Sequence, residues 1–148
     1  MAERHYIRPA AMDRAFNGLV ALLARLGLSL AGSRVLAVRG RKSGEWRTVP
    51  VNLLDHGGAR YLVAPRGETE WVRNLRAGGT GELRLGGRRE AFRATELGDA
   101  DKVPVLRAYL VKWWFEVKRF FDLDGPNAGD AELARIAARH PVFRLDPA

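Results

Sequence analysis

Between Ser33 and Leu97 the apolar residues leave helical spacing and fall into short aliphatic and β-branched runs separated by glycine-bearing turns. This change of period constrains the fold more than any other feature. Arg34 to Arg39 (RVLAVR) and Trp46 to Leu54 (WRTVPVNLL) predict two strands joined by a turn over 40–45. Arg60 to Ala64 (RYLVA) predicts a third after Asp55-His56-Gly57-Gly58, and Gly81 to Leu85 and Glu90 to Leu97 predict a last pair around Gly86-Gly87. Glu70 to Ala77 reads as a short inserted helix stopped by Gly78-Gly79, since glycine accepts the left-handed geometry of a helix end. Pro50 has no N–H to donate, so inside the second strand it needs an edge or a bulge, where a ligand can approach the backbone.

Helical periods flank this region. Pro9 to Ala31 carries an apolar stripe of Met12, Phe16, Leu19, Val20, Leu23 and Leu26, and is expected either to pack on the domain or to lie at a membrane surface. Its most apolar part, Gly18 to Gly32, is shorter than the ~20 residues that span a bilayer and contains Arg25. Asp101 to Phe121 places Leu106, Tyr109, Leu110, Trp113, Val117 and Phe120 on one side. After a loop over 122–129, Asp130 to Arg139 forms a last short helix. The expected organisation is one domain of α+β class: an N-terminal amphipathic helix over residues 1–32, then a small antiparallel barrel with helices over 33–148.

Several chemistries are excluded. With no cysteine there is no disulfide, thiolate metal site or cysteine nucleophile. The serines form no G-x-S-x-G elbow, and His5, His56 and His140 have no ligand spacing, so no metal site is expected. The first 16 residues lack the order of a secretory signal, which places the expected location in the cytoplasm or at the inner face of the membrane. The net charge is +8, and between Arg34 and Arg93 there are 13 Lys and Arg against 6 Asp and Glu, so nearly all of the excess lies in the strand region. An anionic partner follows, which could be nucleic acid, acidic lipid or a phosphorylated cofactor. Nucleic acid is disfavoured, because the aromatic residues do not interleave with the basic ones as stacking platforms require.

Gly40-Arg41-Lys42-Ser43-Gly44 looks at first like a phosphate loop. However, the positions one and six before Lys42 hold Arg41 and Leu36 instead of glycine, and a strand follows instead of a helix. What remains is a tight turn whose backbone N–H groups are expected to face an anion, with Arg41 and Lys42 on it and Arg47 beyond. Pro65-Arg66-Gly67 ends the third strand with another cation, and Trp71-Val72-Arg73-Asn74 opens a helix whose first N–H groups also favour anions.

In this order, GRKSG, Arg47 with Pro50, Ala64-Pro65-Arg66-Gly67, Trp71 and Asn74-Leu75 resemble the deazaflavin-dependent nitroreductase family of split-barrel flavin and deazaflavin oxidoreductases, over about Val35 to Arg76. The resemblance implies a split β-barrel enzyme that binds reduced coenzyme F-420 and passes a hydride to a hydrophobic, electron-poor acceptor such as a quinone, an enone or a nitro compound. It implies that Arg41, Lys42, Ser43 and Arg47 hold the phosphate and acidic tail, and that Thr48, Val49, Pro50, Val51 and Asn52 run along the ring. Ala64, Pro65, Arg66, Gly67, Trp71, Arg73 and Asn74 would complete the groove. Tyr109 is the candidate catalytic residue as proton donor or substrate contact, and Tyr109, Trp113 and Trp114 are the candidate walls of the acceptor pocket. Two alternatives stand beside this one: FMN in place of the deazaflavin, and a lipid- or fatty-acid-binding barrel at the membrane surface.

Overall fold

The computed structural model describes residues 32–148; the amphipathic helix expected over 9–31 lies outside them. Six strands form a closed, wholly antiparallel barrel: β1 (Ser33–Arg39), β2 (Trp46–His56), β3 (Ala59–Val63), β4 (Thr80–Leu85), β5 (Arg88–Glu96) and β6 (Val142–Pro147), ordered β1-β2-β3-β6-β5-β4. The fold is α+β, as the periods indicate. The sixth strand is a correction: β6 closes the barrel by pairing Leu62 with Phe143 on one side and Ala94 with Leu145 on the other.

Alternation along the strands builds two cores. Leu36, Leu53, Leu62, Leu83, Phe92 and Phe143, one from each strand, share a single cluster that can only be the barrel interior. Their neighbours Leu54, Val63 and Val142 face the opposite way and pack beneath the helices. Helix α1 (Glu70–Gly78) sends Val72 and Leu75 into the interior cluster and ends at Gly79, whose φ of 74° and N–H to Leu75 O at 2.7 Å form the expected left-handed cap.

Helix α2 (Asp99–Val117) lays Leu106, Tyr109, Leu110, Trp113 and Val117 against the outer wall and continues as a tighter turn over Lys118–Phe120. Helix α3 (Asp130–Ile136) covers the same cluster with Leu133 and Ile136. Arg135 ties α3 to the preceding loop through Asp122 Oδ2 at 2.9 Å. Among the described residues, no helix is long and apolar enough to cross a membrane.

Candidate functional site

Strand β2 pairs with one neighbour along its first part and with another along its second. Ser33 to Arg39 of β1 run against Trp46 to Asn52, whereas β3 begins its pairing at Leu53. From Arg47 to Asn52 one edge of β2 therefore has no strand beside it among the described residues, and Pro50 sits in the middle of that stretch, where a missing N–H breaks no second ladder among them. This edge borders a cavity of about 550 Å³. Val63 to Arg66 at the end of β3 form part of its lining, and Thr69, Glu70, Trp71 and Asn74 at the start of α1 form another. Tyr109, Glu116 and Val117 of α2, with Arg119 and Phe120, complete it.

The basic turn abuts one end of this cavity but is built differently from the expectation. Gly40 N–H donates to Glu45 O, Gly44 N–H to Gly40 O and Arg41 N–H to Asn74 Oδ1, so these backbone donors are taken up within the protein. Glu45 N–H is likewise satisfied by Ser43 Oγ at 3.2 Å. Gly44 at φ 73° supplies the left-handed residue that closes the turn. The side chain of Arg41 is engaged within the protein as well. Arg41 Nη1 reaches back to Asn74 Oδ1 and Glu70 Oε2, both at 2.8 Å, which pins the turn to two of the α1 residues that line the cavity. Arg47 lines the cavity directly, and its pairing with Glu45 at 3.9 Å between two exposed side chains holds it only weakly. Arg66 and Arg119 both stack on Phe120, at 4.3 and 4.8 Å from its ring centre, and bring two more cations to the lining.

A polar group occupies another part of the lining. Asn52 Nδ2 donates to Glu116 Oε2 at 2.9 Å, Ser33 Oγ donates to Asn52 Oδ1 at 3.4 Å, and the Asn52 side chain also hydrogen-bonds the Tyr109 phenol. Burial pushes the phenol well above the ordinary tyrosine range. The Asn52 hydrogen bond offsets part of that rise, and the nearby Glu116 carboxylate adds to it. Tyr109 is therefore a neutral hydroxyl at any physiological pH. Thr69 Oγ1, in the same lining at the N-cap of α1, is buried and has no hydrogen-bond partner among the described residues.

Of the residues singled out in the sequence, Arg47, Thr48, Val49, Pro50, Val51, Asn52, Ala64, Pro65, Arg66, Trp71, Asn74 and Tyr109 all line this cavity. Lys42, Ser43 and Gly67 do not. Arg41 and Arg73 border a separate, shallow concavity with Glu68 and Arg76. Trp113 corrects the expected acceptor wall: it is 2% exposed, donates Nε1–H to Leu53 O at 3.3 Å and belongs to the core under α2. Trp114 packs against the same core and is also outside the lining. Thr69, Glu116, Arg119 and Phe120 join the site unannounced by any motif, although Phe120 was legible as the last member of the α2 stripe.

A model of the F-420H(2)-dependent quinone reductase family matches residues 11–119. No curated protein matches the chain significantly. Among solved structures, the chain is similar to one described as an F-420-H2 dependent reductase (FDR-A), at 19% identity and a TM-score of 0.54, covering 78% of this chain and 94% of that one. It is also similar to a heme binding protein from Mycobacterium smegmatis, at 15% identity and a TM-score of 0.55, over 95% of this chain and 52% of that one. A third likeness is to a FAD-binding protein from Mesorhizobium loti, at 16% identity and a TM-score of 0.50, over 95% and 91% of the two chains. At these identities the structural likenesses speak to the fold, a split barrel of the flavin-binding type.

Proposed function

The chain belongs to the F-420H(2)-dependent quinone reductase family, and on that footing we propose that the cavity beside the unpaired edge of β2 holds both the coenzyme and the acceptor. The protein is an oxidoreductase and its cofactor is the deazaflavin coenzyme F-420. The observation that carries the assignment of the site is that one cavity collects Arg47, Pro50, Arg66, Trp71 and Asn74, which the sequence scatters over a strand, a turn and a helix.

The residues present suit the coenzyme. Its phosphate and acidic tail need cations, and Arg47, Arg66 and Arg119 supply them in the lining, with Arg41 and Lys42 on the adjoining turn. A flat ring needs a slot with open backbone, which Val49 to Asn52 provide. The buried Thr69 hydroxyl lacks a partner within the described residues, so a polar group of the ligand would satisfy it. When bound, the reduced deazaflavin supplies the hydride. The protein's part is to orient and to exclude water: Val49, Val51, Val63, Trp71 and Phe120 make the cavity partly apolar. The Tyr109 phenol, protonated at physiological pH, would present a donor at Oη for the oxygen of a quinone-type acceptor, with Asn52, itself held by Glu116, as its hydrogen-bonding neighbour. Enones and nitro compounds offer the same kind of acceptor oxygen and extend the proposed range. Peripheral membrane contact would fall to residues 9–31.

Titration of the tryptophan fluorescence tests the proposal. F-420 is expected to bind with micromolar or tighter affinity, ~−8 kcal/mol, and FMN more weakly. Arg47→Ala should weaken F-420 by about 10- to 100-fold, the loss of one charge-assisted contact, with an unchanged melting temperature. Tight binding of FMN or a fatty acid with none of F-420 would overturn the reading.

A further inference from the structure

His140 lies outside the cavity, yet it touches two of the segments that line it. It is 1% exposed, one of only a few polar side chains buried among the described residues. Its ring stacks on Phe121 at 4.1 Å between centroids and 23° between planes, and Phe121 follows directly on Phe120, the residue on which Arg66 and Arg119 lie. Its Nδ1 sits 3.1 Å from Ala64 O, at the head of the Ala64-Pro65-Arg66 segment. A carbonyl oxygen can only accept, so Nδ1 carries the proton in this contact. The same backbone unit is held from two further directions: Ala64 N–H donates to Pro141 O at 2.9 Å, and Gly67 N–H folds back to Ala64 O at 3.2 Å.

We propose that His140 is a positioning residue for the coenzyme. It fixes the Ala64–Gly67 turn by its Nδ1–H and the Phe120–Phe121 segment by its ring, and so sets the distance between the two parts of the lining that carry Arg66 and Arg119. The inference rests on the reading of the cavity as the coenzyme site. Burying an imidazole beneath a binding wall costs free energy unless its polar atoms are satisfied, and a purely apolar ring would pack against Phe121 as well. Among the contacts described, histidine adds over phenylalanine the donor to Ala64 O. That contact matters because it shares the Ala64 carbonyl with the Gly67 N–H and so braces the turn at its first residue, while Gly67 closes it in the left-handed region at φ 82°.

Two variants separate the ring from the donor. His140→Phe keeps the stack and removes the donor. His140→Asn keeps an N–H near the place of Nδ1 and removes the stack. Amide hydrogen exchange in the ligand-free protein is expected to speed up about tenfold at Gly67 in His140→Phe and to stay within about twofold of wild type in His140→Asn, as one hydrogen bond of ordinary strength predicts. F-420 affinity should follow, about five- to tenfold weaker in His140→Phe and largely restored in His140→Asn, with kcat at saturating coenzyme little changed. An unchanged Gly67 exchange rate in His140→Phe, or equal losses in both variants, would overturn the proposal. If His140→Phe does not fold, the ¹⁵N shifts of His140 in the wild type decide: a protonated Nδ1 supports it and an unprotonated Nδ1 refutes it. Should wild type fail to bind F-420 while Gly67 exchange responds as expected, it is the reading of the cavity that fails, not the role of His140 in holding the turn.

Discussion

Asn74→Ala should loosen the basic turn from the rest of the site by a predictable amount. Asn74 is 5% exposed, and its Oδ1 accepts both Arg41 N–H at 3.1 Å and Arg41 Nη1–H at 2.8 Å. The neutral backbone bond contributes about 1 kcal/mol, and the guanidinium bond about 1.5–3 kcal/mol. The loss will be smaller than their sum: Arg41 Nη1 keeps Glu70 Oε2 at 2.8 Å, and its side chain retains 25% of its surface in solvent, where water replaces part of what is lost. A net destabilisation of about 2 kcal/mol follows. For a chain of 148 residues, with an unfolding entropy of about 2.1 cal/mol/K per residue, that is a fall in Tm of about 6 °C. Urea denaturation read by tryptophan fluorescence should show it as a lower midpoint at constant slope. Asn74→Asp keeps an oxygen opposite Arg41 and should lose less than half as much. A stability of Asn74→Ala within about 0.5 kcal/mol of wild type would refute the tie, as would an Asp variant as unstable as the Ala one.

Gly81→Ala should destabilise by about 1–3 kcal/mol, because a Cβ there would stand 2.8 Å from both Ala37 O and Phe92 Cζ, and a strand carbonyl cannot withdraw without shifting the β1–β4 pairing. Gly87→Ala, which meets nothing within 4 Å, is the control; equal urea midpoints for the two would contradict the packing argument. Tyr109 supplies a pH prediction. Its folded-state value is raised by burial, so its contribution to stability is complete below the unfolded value near pH 10 and is lost as pH climbs from there through the folded value. In that window wild type should lose up to about 1.4 kcal/mol per pH unit more than Tyr109→Phe. Parallel alkaline unfolding curves for the two proteins would show that the phenol is not buried as described.

The strands that could be read from the sequence were those whose partners are close along the chain. The β1–β2 hairpin, β3 and the β4–β5 hairpin all announce themselves by a turn, and their periods place Leu53 and Leu54 on opposite faces as found. Strand β6 could not be read this way: VFRLDP is six residues long, ends in a proline, and finds its partners in β3 and β5, far back along the chain. Its inward residues Phe143 and Leu145 are apolar like those of any strand, but nothing local specifies that the chain returns to close a barrel. The same reason explains Trp113. On a helical stripe it is indistinguishable from a pocket residue, and only the Leu53 carbonyl, brought to it by the fold, makes it part of the core.

The excess of cations in the strand region overstates how many of them are available. Counting every arginine between Arg34 and Arg93 alike implies a basic surface, but the fold engages several of them with acids. Arg76 is held by Glu68 at 2.8 Å and Glu96 at 2.7 Å, Arg84 by Glu82 at 3.0 Å, and Arg60 by Glu90 and Asp55. Even Arg41, the first cation of the motif, is turned toward Glu70 and Asn74 and serves to fasten the turn. The cations in the cavity lining are Arg47 from β2, Arg66 from the turn after β3 and Arg119 from the end of α2, the last of which lies outside the basic region altogether. An electrostatic site is therefore set by which cations the topology leaves facing a concavity. Reversing Glu68 or Glu96 to lysine should for that reason change stability through Arg76 while leaving F-420 affinity within about twofold at physiological salt, where surface charges are screened over ~8 Å. A tenfold gain in affinity would mean that the coenzyme senses the overall charge of the barrel and not these three side chains.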